Sequence, residues 1–174
     1  MLRQRHEARS AGPLTAVFGA LTEAVGEQRW GGGRGDLPTE RPRVGLCYTW
    51  HRDSLLRRGR IVEYLRPVVL TLNETLIDAP CRVRLRLRWR LEPFEGGAAI
   101  RLDVRYELNG PAYWSKRRWR EQIRSHCVRT LARIDTKLKA APEFQGKASS
   151  GQRKGNSSMT VTNTTIVNGR PTLR

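Results

Sequence analysis

The chain has 174 residues and a formal net charge of +17, with 33 Lys and Arg against 16 Asp and Glu. That length supports one domain with tails and a real core, and no run of about eighteen apolar residues offers a membrane span. Cys47, Cys81 and Cys127 stand in no close spacing, which argues against a disulfide framework or a zinc site and makes a reducing cytoplasm the expected location.

Residues 1–12 are polar and basic, without the apolar stretch of a secretory signal, and read as a flexible N-terminus. From Pro13 to Trp30, Leu14, Val17, Phe18, Leu21 and Val25 fall at helical spacing behind a proline suited to a helix start. Gly31-Gly32-Gly33-Arg34-Gly35 follows a helix and lacks the Lys-Ser/Thr ending of a phosphate loop, so it reads as a connector. Three strand-like runs come next. Arg43 to Trp50 alternates Val44, Leu46, Tyr48 and Trp50; Arg58 to Leu65 is shorter; Pro67 to Leu76 alternates Val68, Leu70, Leu72, Glu74 and Leu76.

The stretch CRVRLRLRWRLEPFEGGAAIRLDVRYEL, from Cys81 to Leu108, alternates almost without a fault. Val83, Leu85, Leu87, Trp89 and Leu91 share one parity, and Arg82, Arg84, Arg86, Arg88 and Arg90 the other. In the second arm Ile100, Leu102, Val104, Tyr106 and Leu108 alternate with Arg101, Asp103, Arg105 and Glu107. With Pro93 and Gly96-Gly97 between the arms, this predicts a long antiparallel hairpin with one apolar and one charged face. Residues 112–140 hold no Gly or Pro, and Trp119, Ile123, Cys127, Leu131, Ile134 and Leu138 recur at steps of three and four. This is a helical stripe long enough to cover the apolar sheet face. Residues 141–174 are rich in Gly, Ser, Thr and Asn and read as a disordered tail.

The order of these elements resembles the START-related helix-grip superfamily, also called SRPBCC or polyketide cyclase-like. The resemblance is carried by Pro13 to Trp30, the run GRIVEYLRPVVLTLNETL, the hairpin RLRWRLEPFEGGAAIRLDVRYEL and the closing helix, so it spans roughly residues 13–140. It implies an α+β fold in which a curved antiparallel sheet wraps around a long C-terminal helix. The family begins with an apolar strand, whereas residues 1–12 are polar; the first strand is therefore expected to be missing or irregular, with a sheet edge left open.

The resemblance also implies a hydrophobic cavity between sheet and helix, binding a lipid-like or polyketide-like molecule, or housing a cyclase or hydratase. No cofactor or metal is called for. The inward parities then nominate Tyr48, Leu70, Leu72, Glu74, Leu87, Trp89, Val104 and Tyr106 from strands, with Ile123, His126 and Cys127 from the helix, as ligand-binding residues. Glu74 stands out as a carboxylate among aliphatic neighbours and, with Tyr48 or His126, is the candidate acid–base group of the enzymatic alternative. His126 and Cys127 are adjacent, about 100° apart around a helix, so they form no ready-made nucleophile and base. No serine triad, carboxylate pair or metal-ligand spacing identifies catalysis. The remaining alternative is a basic module for nucleic acid or another polyanion. The helix segment from Ala112 to Lys139 carries nine basic residues against Glu121 and Asp135, and the first hairpin arm adds five arginines on the opposite side of the sheet. Two separate basic surfaces are expected, giving weak, salt-sensitive adhesion without sequence reading.

Overall fold

A computed structural model of the chain describes residues 1–29, 41–52, 54–140 and 160–167. The elements are β1 (Leu2–Ser10), α1 (Leu14–Arg29), β2 (Cys47–Arg52), β3 (Leu55–Leu65), β4 (Val69–Asp78), β5 (Cys81–Phe94), β6 (Gly97–Asn109), a 3-10 turn (Gly110–Tyr113), α2 (Lys116–Ala140) and β7 (Thr160–Val167). The strands form a seven-stranded sheet in the order β2-β3-β4-β5-β6-β1-β7. Every neighbouring pair is antiparallel. The architecture is α+β, with a long C-terminal helix held by the sheet, as the sequence predicts.

The alternation in β5 and β6 sets the two faces. Leu87 pairs across the sheet with Leu72 and Val104, and Trp89 with Leu70 and Leu102, so the same parity stays inside from strand to strand. All six are buried. The β5–β6 reversal is a two-residue turn, Glu95-Gly96, with Gly96 at φ +88°, a conformation that glycine adopts without steric cost. Trp89 is fully buried at the centre; its truncation to alanine would cost about 3–5 kcal/mol.

The helices cover the apolar face. α1 buries Val17, Phe18, Leu21, Ala24 and Val25, and Phe18 meets Tyr64 with ring centroids 5.7 Å apart. α2 buries Trp119, Ile123, Cys127, Leu131, Ile134 and Leu138, the predicted stripe, together with Thr130. Lys137 ties the helices together by bridging Glu23 at 3.2 Å and Glu27 at 2.6 Å.

Two expectations fail at the chain ends. The N-terminal segment is a regular strand, β1, lying between β6 and β7. Its inward positions are Gln4, His6 and Ala8, all buried, so a genuine alternation is hidden because two of its inward residues are polar. Part of the expected disordered tail is likewise a strand, since β7 pairs with β1. Thr, Val and Ile dominate that strand, and their branched side chains suit a pleated surface. The remaining tail residues, 141–159 and 168–174, and the Gly31–Gly35 connector lie outside the described residues. Smaller shifts occur at β2, which begins at Cys47 and leaves Val44 exposed, and at the helix, whose first predicted residues form the 3-10 turn.

Candidate functional site

A polar cluster is built into the apolar face at the β2–β3–β4 side of the sheet. Register places Tyr48 opposite Gly59 and Gly59 opposite Glu74, so three neighbouring strands contribute one transverse row. A Cβ added to Gly59 would lie 2.2 Å from Tyr48 Cζ. The missing side chain therefore lets the phenol ring cross β3 and reach the next strand. There the Tyr48 hydroxyl donates to Glu74 Oε1 at 2.5 Å. Arg57, also on β3, approaches Glu74 Oε2 with Nε at 4.0 Å, and its guanidinium stacks over the Trp50 ring at 5.5 Å. Glu74 and Arg57 side chains are only 2% and 8% exposed. A buried carboxylate is tolerable here because a cation and a hydroxyl donor meet it.

This cluster opens into a groove of about 720 Å³ between α2 and strands β3 to β5. Leu85, Leu87, Trp119 and Ile123 supply its apolar wall. Its carboxylates already have partners: Glu74 has Tyr48 and Arg57, Glu27 has Lys137, and Asp78 accepts from the Ser54 hydroxyl at 2.9 Å. Along α2 the groove is edged by Arg118, His126, Arg129 and Arg133. No ion pair joins Arg118, Arg129 or Arg133 to a carboxylate among the described residues. The net electrostatic character of the open side is thus cationic.

Of the residues nominated from sequence, Glu74, Leu87, Ile123 and His126 line this groove, and Tyr48 touches it through Glu74. Leu70, Leu72, Trp89, Val104, Tyr106 and Cys127 do not line it; they pack into the hydrophobic cluster with α1 and α2. The reason is α1. Phe18, Leu21 and Val25 join the same cluster and reinforce the apolar side that a single covering helix would leave thin. Arg57 and Gly59 were absent from the nominated set. A glycine inside a strand run was the available signal, because it marks close approach of a neighbour.

A second buried polar group sits beneath the start of α2. Gln4 Nε2 donates to the Tyr106 hydroxyl at 3.3 Å and to the Arg120 carbonyl at 3.1 Å. His6 is buried on the same strand, and burial, with the charge of Arg124 as a lesser cause, holds its pKa below the ordinary value. Among the described residues no group of His, Cys, Asp and Glu is arranged to hold a metal ion, and no helix is long and apolar enough to cross a membrane.

No protein-family model and no curated protein matches this chain. Solved structures do. Protein MLL2253 from Mesorhizobium loti superposes with a TM-score of 0.62 at 16% identity, over 80% of this chain and 98% of that one. CalU16 from Micromonospora echinospora gives 0.56 at 18% identity, over 83% of this chain and 80% of that one. DynU16, a protein of the dynemicin biosynthetic locus, gives 0.54 at 13% identity, over 79% of this chain and 47% of that one. At these identities the likeness establishes the fold, and it agrees with the helix-grip architecture.

Proposed function

We propose that this chain binds a small amphipathic anion in the groove between α2 and the sheet. One observation carries the reading: an apolar wall of Leu85, Leu87, Trp119 and Ile123 faces a cationic edge whose local carboxylates are already matched. The apolar body of the ligand lies on that wall, and its acidic group faces Arg129 and Arg133. The Tyr48–Glu74–Arg57 cluster fixes orientation at the inner end, since a few placed polar groups in a mostly apolar pocket confer specificity. The place of DynU16 in a biosynthetic locus is compatible with a small organic ligand.

The test is mass spectrometry of what copurifies, paired with binding of anilinonaphthalene sulfonate, an apolar body bearing one anionic group. An acidic apolar compound should be recovered, and the probe should be displaced by it. Arg129→Ala/Arg133→Ala should weaken the probe about tenfold or more, as expected for the loss of two charge-assisted contacts. Absence of any retained molecule, together with no probe binding by the native protein, would sink the proposal.

The enzymatic alternative on the same groove, a cyclase- or hydratase-like reaction, is favoured by the Tyr48–Glu74 hydrogen bond. Glu74 is then the acid–base group, with Tyr48 or His126 assisting. Glu74→Gln separates the two cases. An enzyme loses turnover while binding persists, because the shape survives and the proton carrier does not. A binder loses affinity and has no rate to lose.

A further inference from the structure

The 3-10 turn between β6 and α2 carries a feature the groove does not explain. Trp114 is 90% exposed and Tyr113 61% exposed, side by side with ring centroids 6.4 Å apart. Exposed single apolar residues are ordinary, but a nearly bare tryptophan beside a bare tyrosine is a contiguous aromatic surface. The turn is firmly built. Ala112 is fully buried, Trp114 N–H donates to the Pro111 carbonyl at 3.1 Å, and the Ser115 hydroxyl donates to the Ala112 carbonyl at 3.4 Å. The two rings are therefore presented outward by an anchored support.

Charge surrounds them on the helix side. Lys116, Arg117 and Arg118 follow after Ser115, and the next acidic residue in the chain is Glu121. Lys116 Nζ lies 5.9 Å from the centre of the Tyr113 ring. Tryptophan and tyrosine, each an apolar body with one polar tip, partition to the headgroup level of a bilayer, and flanking Lys and Arg attract anionic headgroups. We propose that this turn docks the molecule on an anionic membrane surface, with Trp114 and Tyr113 at the headgroup level and Lys116, Arg117 and Arg118 against lipid phosphates.

Two observations favour a bilayer over single-stranded nucleic acid. Stacking on bases needs a basic groove that tracks several nucleotides, whereas this turn ends in two protruding rings. The same turn leads straight into Arg118 and Trp119, which line the ligand groove. Contact with a membrane at this point puts the end of the groove beside the lipid. The inference extends the amphipathic-ligand reading without depending on it, because docking is measurable with no ligand present.

The experiment is co-sedimentation of the full chain with phosphatidylcholine vesicles with and without phosphatidylglycerol, read beside quenching of tryptophan fluorescence by brominated lipid. Binding should require the anionic lipid and fall steeply with salt. Quenching should fall sharply in Trp114→Phe. Each of Lys116→Gln, Arg117→Gln and Arg118→Gln should lower partitioning about fivefold, the worth of one basic residue near an anionic surface. Arg86→Gln/Arg105→Gln, on the far face of the sheet, should change it little. Unaltered circular dichroism in each variant shows that the fold is intact. Vesicle binding that survives Tyr113→Ala/Trp114→Ala overturns the proposal. So does an absence of vesicle binding, with or without capture of an oligonucleotide by the same residues.

Discussion

At Gly59 a single absent methyl group determines the site. Any side chain there meets the Tyr48 ring, at 2.2 Å for the first carbon, and forces the phenol away from Glu74. Gly59→Val should destabilise the fold by about 1–3 kcal/mol, the cost of overpacking, and should weaken ligand binding beyond what the stability loss explains. Paired thermal melts and titrations with anilinonaphthalene sulfonate check this, and equal binding by folded Gly59→Val would contradict the row. His6 gives a second residue-scale test. Its folded-state pKa lies below the ordinary 6.5, so between those two values the unfolded chain takes a proton that the folded chain refuses. Stability is complete above pH 6.5 and declines as pH falls toward the folded-state value. His6→Gln should flatten the fall in melting temperature between about pH 6.5 and 5.5, a window above ordinary carboxylate titration. These residues also show where sequence reading stops. Glu74 was legible because its neighbours on the same parity are aliphatic. Arg57 was not, because it falls just outside the apparent alternation of β3, and Gly59 signalled a close approach without showing which neighbour makes it, since that depends on strand order.

At the scale of elements, the arginines of the outer sheet face divide into two groups by register. Toward one end the charges are balanced: Arg5 meets Asp103 at 2.9 Å, Arg88 meets Glu63 at 2.9 Å, and Arg101 meets Glu7 at 3.1 Å. One row is different. Arg60 lies opposite Asn73, Asn73 opposite Arg86, Arg86 opposite Arg105, and Arg105 opposite Arg3. No ion pair within 4 Å joins Arg3, Arg60, Arg86 or Arg105 to a carboxylate among the described residues, and a depression of about 340 Å³ lies at Asn73, Arg84, Arg86 and Arg105, with Glu107 opposite Arg84 at its border. Like charges directly across a ladder destabilise it, so Arg86→Gln/Arg105→Gln should raise stability by about 0.2–1 kcal/mol. If this face also holds polyanions, the same variant should reduce the salt slope of duplex DNA binding by about 1.8, or 0.9 for each lost phosphate contact. Filter binding at several salt concentrations reads the slope, and an unchanged slope removes this face from any polyanion contact. The alternation of β5 and β6 made this charged face legible, but pairing partners depend on strand order, and a one-residue change in register would reshuffle every row.

At the scale of the whole molecule, one side of the open sheet is built from strands far apart in sequence. β1 comes from the first residues and β7 from the last described ones, and they pair beside β6. Neither was visible as a strand, and for different reasons. The inward side of β1 is polar at Gln4 and His6, so its periodicity in hydropathy is weak although its burial is not. β7 lies in a polar, small-residue tail whose composition masks a short β-branched run. Their positions predict unequal consequences of removal. Without residues 1–10, β6 loses its partner over nine paired positions from Leu2 to Ser10, and the Gln4 contacts that reach Tyr106 and Arg120 disappear. That loss lies inside the sheet and beneath α2, so the shortened chain should show no cooperative thermal transition. Of the described residues, ending the chain at residue 159 removes only β7, and it leaves β1 as the sheet edge. Arg3, Arg5 and Arg9 are exposed on that edge, and charged residues there discourage pairing between molecules. The shortened chain should stay folded and unaggregated, with a modestly lower melting temperature. Circular dichroism melts with size-exclusion chromatography compare the two truncations. Aggregation of the C-terminal truncation would show that β7, rather than edge charge, protects the sheet.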